Sequence, residues 1–344
     1  MVRRLRSPFV WIPISVALLA VVIWRSRIWE VGSTIPDPDV APILLAVALS
    51  GLLPVLWALR SGRLLSPQHP VPIRALIPMT TLANTVNNLT PGSVGELLRL
   101  YLLRAHHGVP YVTGSAVIMV ERLGALGYLT LSAVTAWLSV IAGWPWWVTL
   151  VGMAGIAVSP LVLYRLGLRP LRLFIARPLG LVLNGRFERV ASALGRAEEQ
   201  MADLLGDPLG IAVFAATSGL VFAINAAQLS LVAMAIGVDL GLLAAWGALG
   251  LSITVGVLSL LPFGLGAADL TLVALLGVLG VRPPDAAAIA LGFRLVSTLP
   301  IAAAGVGAYA WLSARLPVDG MAGAAALAGA GLAEGTASSD VGKA

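Results

Sequence analysis

The chain has 344 residues, of which 58% are hydrophobic and 11% charged, with no cysteine. Soluble domains carry about 25% charged residues, so this surface cannot face water on every side. A soluble enzyme, a nucleic-acid module and a disulfide scaffold are excluded as the main identity, and so is thiol chemistry. The net charge of +6 and pI near 10.4 report orientation in a membrane, because the basic residues fall between apolar runs. Lys343 is the one lysine among the 22 basic residues, a bias that with the Ala and Gly content points to a GC-rich bacterial genome.

The first apolar run, Phe9 to Trp24, follows Arg3, Arg4 and Arg6 and is followed by Arg25 and Arg27 rather than a cleavage site. It reads as an uncleaved span with a cytoplasmic N-terminus, in a bacterial cytoplasmic membrane. A second span is predicted near Val40–Leu59, with Arg60, Arg63 and Arg74 marking the cytoplasmic side. The next stretch, Ala75 to Leu89, is apolar but short and carries Thr80, Thr81, Asn84, Asn87 and Asn88. It stops at Pro91-Gly92, and a helical pattern resumes with Gly95-Glu96-Leu-Leu-Arg99. Two short pieces around such a break predict a re-entrant or broken helix, which membranes tolerate only where protein or water surrounds it.

Spans near Val112–Ile141 and Trp147–Tyr164 follow, joined by an aromatic link at Trp144, Trp146 and Trp147 that suits an outer interface. The segment 165–207 holds seven arginines and reads as a cytoplasmic loop lying partly on anionic headgroups. Spans near Leu209–Ile236 and Leu242–Leu261, a second break at Pro262-Phe-Gly264-Leu-Gly266, and a span near Ala286–Leu312 complete the pattern. The prediction is therefore an all-α polytopic membrane protein of seven or eight spans, one domain over residues 1–316, with a disordered tail over 317–344.

The two breaks align. Pro91-Gly92-x-x-Gly95-Glu96 matches Pro262-x-Gly264-x-Gly266 with Asp269; Gly108-Val-Pro110 matches Gly280-Val-Arg-Pro283; Arg122-Leu123 matches Arg294-Leu295. These landmarks hold register within one residue and predict an internal repeat of units about 75–142 and 245–312. Four spans counted between the breaks make the repeats parallel; one segment more or fewer within 165–207 makes them inverted, so both arrangements stay open.

Charges inside spans cost about 2.5–3.5 kcal/mol each on insertion scales, so they need partners or a polar cavity. Glu96, Arg99, Glu121, Arg122, Asp269 and Arg294 are the charges so placed. The plain reading is a Glu96–Arg99 pair plus structural salt bridges between the repeats. The sharper reading is a cavity for a charged headgroup, since arginine's planar fork suits phosphate. For Asn84, Asn87 and Asn88 the same choice arises between interhelical hydrogen bonding and a site; for Asn225 and Gln228 the structural role is expected. His106 and His107 are adjacent, make a poor metal pair and are expected in a solvated loop. No metal centre and no cofactor motif stand out.

The Asn84, Asn87-Asn88, Pro91-Gly92-x-x-Gly95-Glu96-x-x-Arg99 and Glu121-Arg122 set resembles the flippase-like membrane domain of lysylphosphatidylglycerol synthases, and Pro262-x-Gly264-x-Gly266 with Arg294 resembles its second half. The resemblance covers about residues 10–315. It implies movement of a lipid between leaflets, with membrane lipids as partners: an anionic or aminoacylated phospholipid, or a lipid-linked sugar. No nucleic acid is expected, homo-oligomerisation is left open, and lysyl transfer is not expected because the soluble transferase domain does not accompany these motifs. The alternatives are an integral-membrane enzyme acting on a lipid-linked substrate, with Glu96 or Glu121 as acid/base, and a non-transporting membrane partner.

Overall fold

The computed structural model describes residues 39–65, 69–89, 94–165, 207–259 and 266–315, and every regular element among them is helical. The predicted first span, the Pro91-Gly92 and Pro262-x-Gly264 breaks, most of the 165–207 loop and the tail lie outside the described residues. Ten helices follow in order: α1 Val40–Ser50, α2 Leu53–Leu65, α3 Ile73–Leu89, α4 Val94–His107, α5 Tyr111–Ala142, α6 Trp146–Arg165, α7 Pro208–Ala235, α8 Leu242–Leu258, α9 Ala267–Val278 and α10 Pro283–Ser313.

Apolar length sorts these helices. Val40–Leu65, α5, α7 and α10 are each long and apolar enough to cross a membrane. By contrast α3, α4, α8 and α9 have 17, 14, 17 and 12 residues. At about 1.5 Å per residue the second of each pair, α4 and α9, falls well short of a hydrocarbon core of about 30 Å. The span predicted to end at Leu261 thus stops at Leu258, and belongs with α9 as one of two short partners.

The segment Val40–Leu65 is two helices because Pro54 has no N–H to give the Ser50 carbonyl, and the chain turns at Gly51-Leu52. It then lies antiparallel along the whole of α7. Asp39 N donates to Ala235 O at 3.1 Å, Gln228 Nε2 donates to Ala46 O at 2.9 Å, and Arg63 meets Asp207 at 2.7 Å at the other end. Gln228 therefore has the interhelical role expected of it.

Two further antiparallel contacts exchange helices between the predicted units. Along α5 and α8, Gly247 lies on Trp137, Gly250 on Ala133, and the Thr130 and Thr254 hydroxyls are 3.0 Å apart. Along α3 and α10, Thr85 Oγ1 donates to Ile301 O at 2.9 Å. A Cβ on Gly305 would come within 2.1 Å of the Thr85 hydroxyl, so glycine sets that close approach. The cores follow the same exchange. Leu76, Met79, Leu102 and Val117 pack with Ala308 and Leu312 of α10, while Leu249, Leu272, Leu276 and Ile289 pack with Ala133 and Ala136 of α5.

Pro300 interrupts α10 and leaves the Val296 carbonyl without its helical donor. The Ser50 hydroxyl takes that place, donating to Val296 O at 3.2 Å while accepting from Gln228 Nε2 at 2.7 Å. One buried serine thus ties α1, α7 and α10 together and satisfies a backbone carbonyl that proline leaves free.

Candidate functional site

The close approach of α4 to α3 sets the site's geometry. A Cβ on Gly95 would lie 1.9 Å from the Ala83 carbonyl oxygen, so α4 starts directly against α3 only because this residue is glycine. The Gly95 N–H then donates to Asn87 Oδ1 at 2.8 Å, and Asn87 Nδ2 donates to Glu96 Oε1 at 3.0 Å. Asn87 bridges the two short helices. Asn84 bonds within its own helix, donating to Thr80 O at 2.9 Å, and Asn88 is exposed.

Glu96 is the third residue of α4, where the helix dipole and free N–H groups favour a carboxylate. Its Oε1 accepts from Arg122 Nη2 of α5, and its Oε2 lies 3.6 Å from Arg99 Nη1. The tighter partner of Arg99 is Glu121, at 2.7 Å from Nη1 to Oε2. Glu121 also accepts from the Ser61 hydroxyl at 2.6 Å and lies 3.9 Å from Arg60 Nε. Arg122, Glu96, Arg99, Glu121 and Arg60 thus alternate in sign along a chain crossing α5, α4 and α2. Glu96, Arg99 and Glu121 are buried, whereas the Arg122 side chain is 53% exposed.

The second break carries a smaller version. Asp269 is the third residue of α9, the same position that Glu96 holds in α4. Its Oδ2 accepts from Gly266 N at 3.0 Å, and Arg294 of α10 grips both carboxylate oxygens at 2.8 Å. The sequence set Glu96 against Asp269 and Arg122 against Arg294; in the structure each acid forms an ion pair with the arginine of its own unit, a pairing the sequence reading did not foresee. These pairs form within each unit and not between the units, as the plain reading had it. The places of Arg99 and Glu121 are taken in the second unit by Leu272 and Phe293, so it has no extended cluster.

Among the described residues no ion pair links the two groups, and α5 and α10 are not an extensively packed pair. A small cavity between α5, α7 and α8 is lined by Leu129, Phe222, Trp246 and Ile253 among others; it is apolar and contains none of these charges.

Two expectations change. Arg60 is not a marker on an aqueous loop, because α2 runs to Leu65 rather than ending at Leu59 and turns Arg60 toward Glu121. The signal was there: Trp57, Ser61, Leu64 and Leu65 follow helical spacing, which puts Ser61 on an inward face with Arg60 at its edge. His106 and His107 occupy the last turn of α4 and are half-buried rather than looped out, since the helix continues until Gly108. No group of metal-ligating side chains occurs among the described residues.

Apolar helices long enough to span, with ion pairs buried between them, define a polytopic α-helical membrane protein. The chain belongs to the family described as the lysylphosphatidylglycerol synthase TM region, which it matches over residues 11–305. It is also 25% identical over 327 residues to a protein named UPF0104 membrane protein from Methanothermobacter thermautotrophicus, a match covering 89% of this chain and 95% of that one.

Proposed function

We propose that the protein moves a phospholipid or other lipid-linked amphiphile between the leaflets of the cytoplasmic membrane, its headgroup passing the two buried ion-pair groups while its tails stay in lipid. The observation that carries this reading is the repeated geometry. In both units the third residue of a short helix after a break is an acid, and it pairs with an arginine of the next long helix. Family membership adds a lipid context.

The units act as an inverted repeat. The segment 40–65 precedes α3 as α7 precedes α8, and these two counterparts lie antiparallel along their whole length. The exchange of α3 with α10 and of α5 with α8 follows the same two-fold relation. In an inverted repeat the short helices enter from opposite faces, so one ion-pair group serves each leaflet, as alternating access needs. Arg122 and Arg294 meet the phosphate of the headgroup, Glu96 and Asp269 hold the arginines ready, and the N-terminus lies on the cytoplasmic side.

Arg122→Ala and Arg294→Ala test this directly. Reconstituted into proteoliposomes with a fluorescent phosphatidylglycerol reporter, each variant is expected to lose leaflet exchange while eluting as a folded protein. Wild-type exchange by both variants refutes the assignment.

A further inference from the structure

The first ion-pair group is not closed. Among the described residues its two carboxylates, Glu96 and Glu121, face three guanidinium groups, Arg60, Arg99 and Arg122, leaving one positive charge in excess. The hydrogen bonds show the same surplus. Arg99 Nη1 donates to Glu121 and lies 3.6 Å from Glu96 Oε2, and among the described residues its Nε and Nη2 are buried without an acceptor, as is Arg60 Nε. Against these three donor atoms stands one carboxylate oxygen without a hydrogen bond, Glu96 Oε2, and it already faces Arg99 Nη1. Buried charged donors left unpaired are costly, and protein interiors rarely keep several together without something to accept from them.

The second group lacks this surplus. One arginine meets one carboxylate, both oxygens of Asp269 are taken, and no atom of either side chain is left buried and unpartnered. The two units are alike in their acid–arginine pair and unlike in what lies behind it.

We infer that the Arg60–Arg99 end of this cluster is a binding seat for a monovalent phosphodiester, the anion that neutralises the excess charge and accepts from the unpaired guanidinium N–H groups. This rests on the lipid-translocation reading and deepens it by naming the substrate's recognised chemistry and two residues that hold it. A phosphodiester carries one negative charge and non-bridging oxygens that match the edge of a guanidinium. Arg122, exposed at the outer end of the chain of charges, is the first contact; Arg99 and Arg60 are the seat behind it. Phe214, with its ring centroid 5.8 Å from the Arg60 guanidinium carbon, and Ser218 Oγ, 3.5 Å from Nη1, hold Arg60 in place from α7.

The test is equilibrium binding to the purified full-length protein in neutral detergent. Phosphatidylglycerol is the probe, diacylglycerol is its phosphate-free counterpart, and glycerophosphoglycerol is the same phosphodiester without tails. Arg60→Gln removes the peripheral donor. Arg99→Lys keeps the charge against Glu121 while losing the guanidinium edge, and so avoids the collapse that a neutral residue there would cause. Arg63→Gln removes a neighbouring charge that pairs with Asp207 outside the cluster. Phosphatidylglycerol is expected to bind, with affinity lowered at least about tenfold in Arg60→Gln and in Arg99→Lys and unchanged in Arg63→Gln. Displacement by glycerophosphoglycerol supports a seat that reads the phosphodiester alone; displacement only by intact lipid supports the same seat filled from the bilayer. Wild-type affinity in both Arg60→Gln and Arg99→Lys, or equal binding of diacylglycerol, overturns the inference. Intact binding in a wild-type protein that fails to exchange lipid would refute translocation and leave the seat standing.

Discussion

Glu121 sits between two arginines and a serine, and its value to the fold differs from its value to the site. Removing one partner of a buried pair leaves the others uncompensated, which costs about 3–5 kcal/mol. Glu121→Ala strands both Arg99 and Arg60, so its unfolding midpoint in detergent should fall by that order, while Glu121→Gln keeps the Ser61 contact and loses less. Replacing the pair together, as Arg99→Met with Glu121→Leu, should restore most of the stability, because apolar residues of similar volume pack without desolvation cost. A protein so repaired and still unable to bind phosphatidylglycerol would show that the pair is kept for recognition. A loss below about 1 kcal/mol in Glu121→Ala would instead mean that water screens the cluster.

At this scale the sequence was readable wherever register alone decided the answer. The offsets from Glu96 to Arg122 and from Asp269 to Arg294 are nearly equal, which marked the acids and the arginines as equivalent, but that each acid pairs inside its own unit was not legible from spacing. Arg60 was misread because its role depended on where α2 ends, and a basic residue near a predicted boundary looks like a membrane-side marker until the helix is seen to continue past it. Asn87 could not be separated from Asn84 and Asn88 by composition. The difference lies in the Gly95 contact, which brings Asn87 alone against the start of α4.

Among the elements, the long helices were legible because apolar length reads directly as span: the predicted limits of α5, α6 and α7 differ from the observed ones by one residue at each end. The division of Val40–Leu65 was not foreseen, since it turns on one missing N–H at Pro54 within an unbroken apolar run. Proline has a second consequence at α10, where Ser50 replaces the donor that Pro300 lacks. Ser50→Ala removes that donor and also the acceptor of Gln228 Nε2, and should cost about 1–3 kcal/mol. Pro300→Ala returns a backbone N–H to the Val296 carbonyl, so Ser50→Ala should cost less in that background. Equal costs in both backgrounds, from a double-mutant cycle on unfolding midpoints, would show that the serine's bond to Val296 contributes nothing.

For the whole molecule, the exchange of helices means that neither half completes its own core. Leu76 and Met79 of α3 share a core with Ala308 and Leu312, and Thr85 finds its acceptor at Ile301. A chain stopped before Pro283 should therefore leave the Thr85 face of α3 uncovered. The protein has no cysteine, so Thr85→Cys gives a single thiol. Maleimide labelling in membranes should be fast in the shortened chain and slow in the full one; equal rates would show that α10 does not cover α3.

That dependence also has a time attached to it. Thr85 and Ile301 are 216 residues apart, and ribosomes add about 5–20 residues per second, so α3 emerges roughly 10 to 40 seconds before the helix that shields it exists. During that interval a short helix bearing Thr80, Thr81, Asn84 and Asn87 has no final partner on the α10 side. Its earlier partners, α2 and α4, are in place long before then, but the face that carries Thr85 stays uncovered until the last helix is made. The first half is thus made early and completed late.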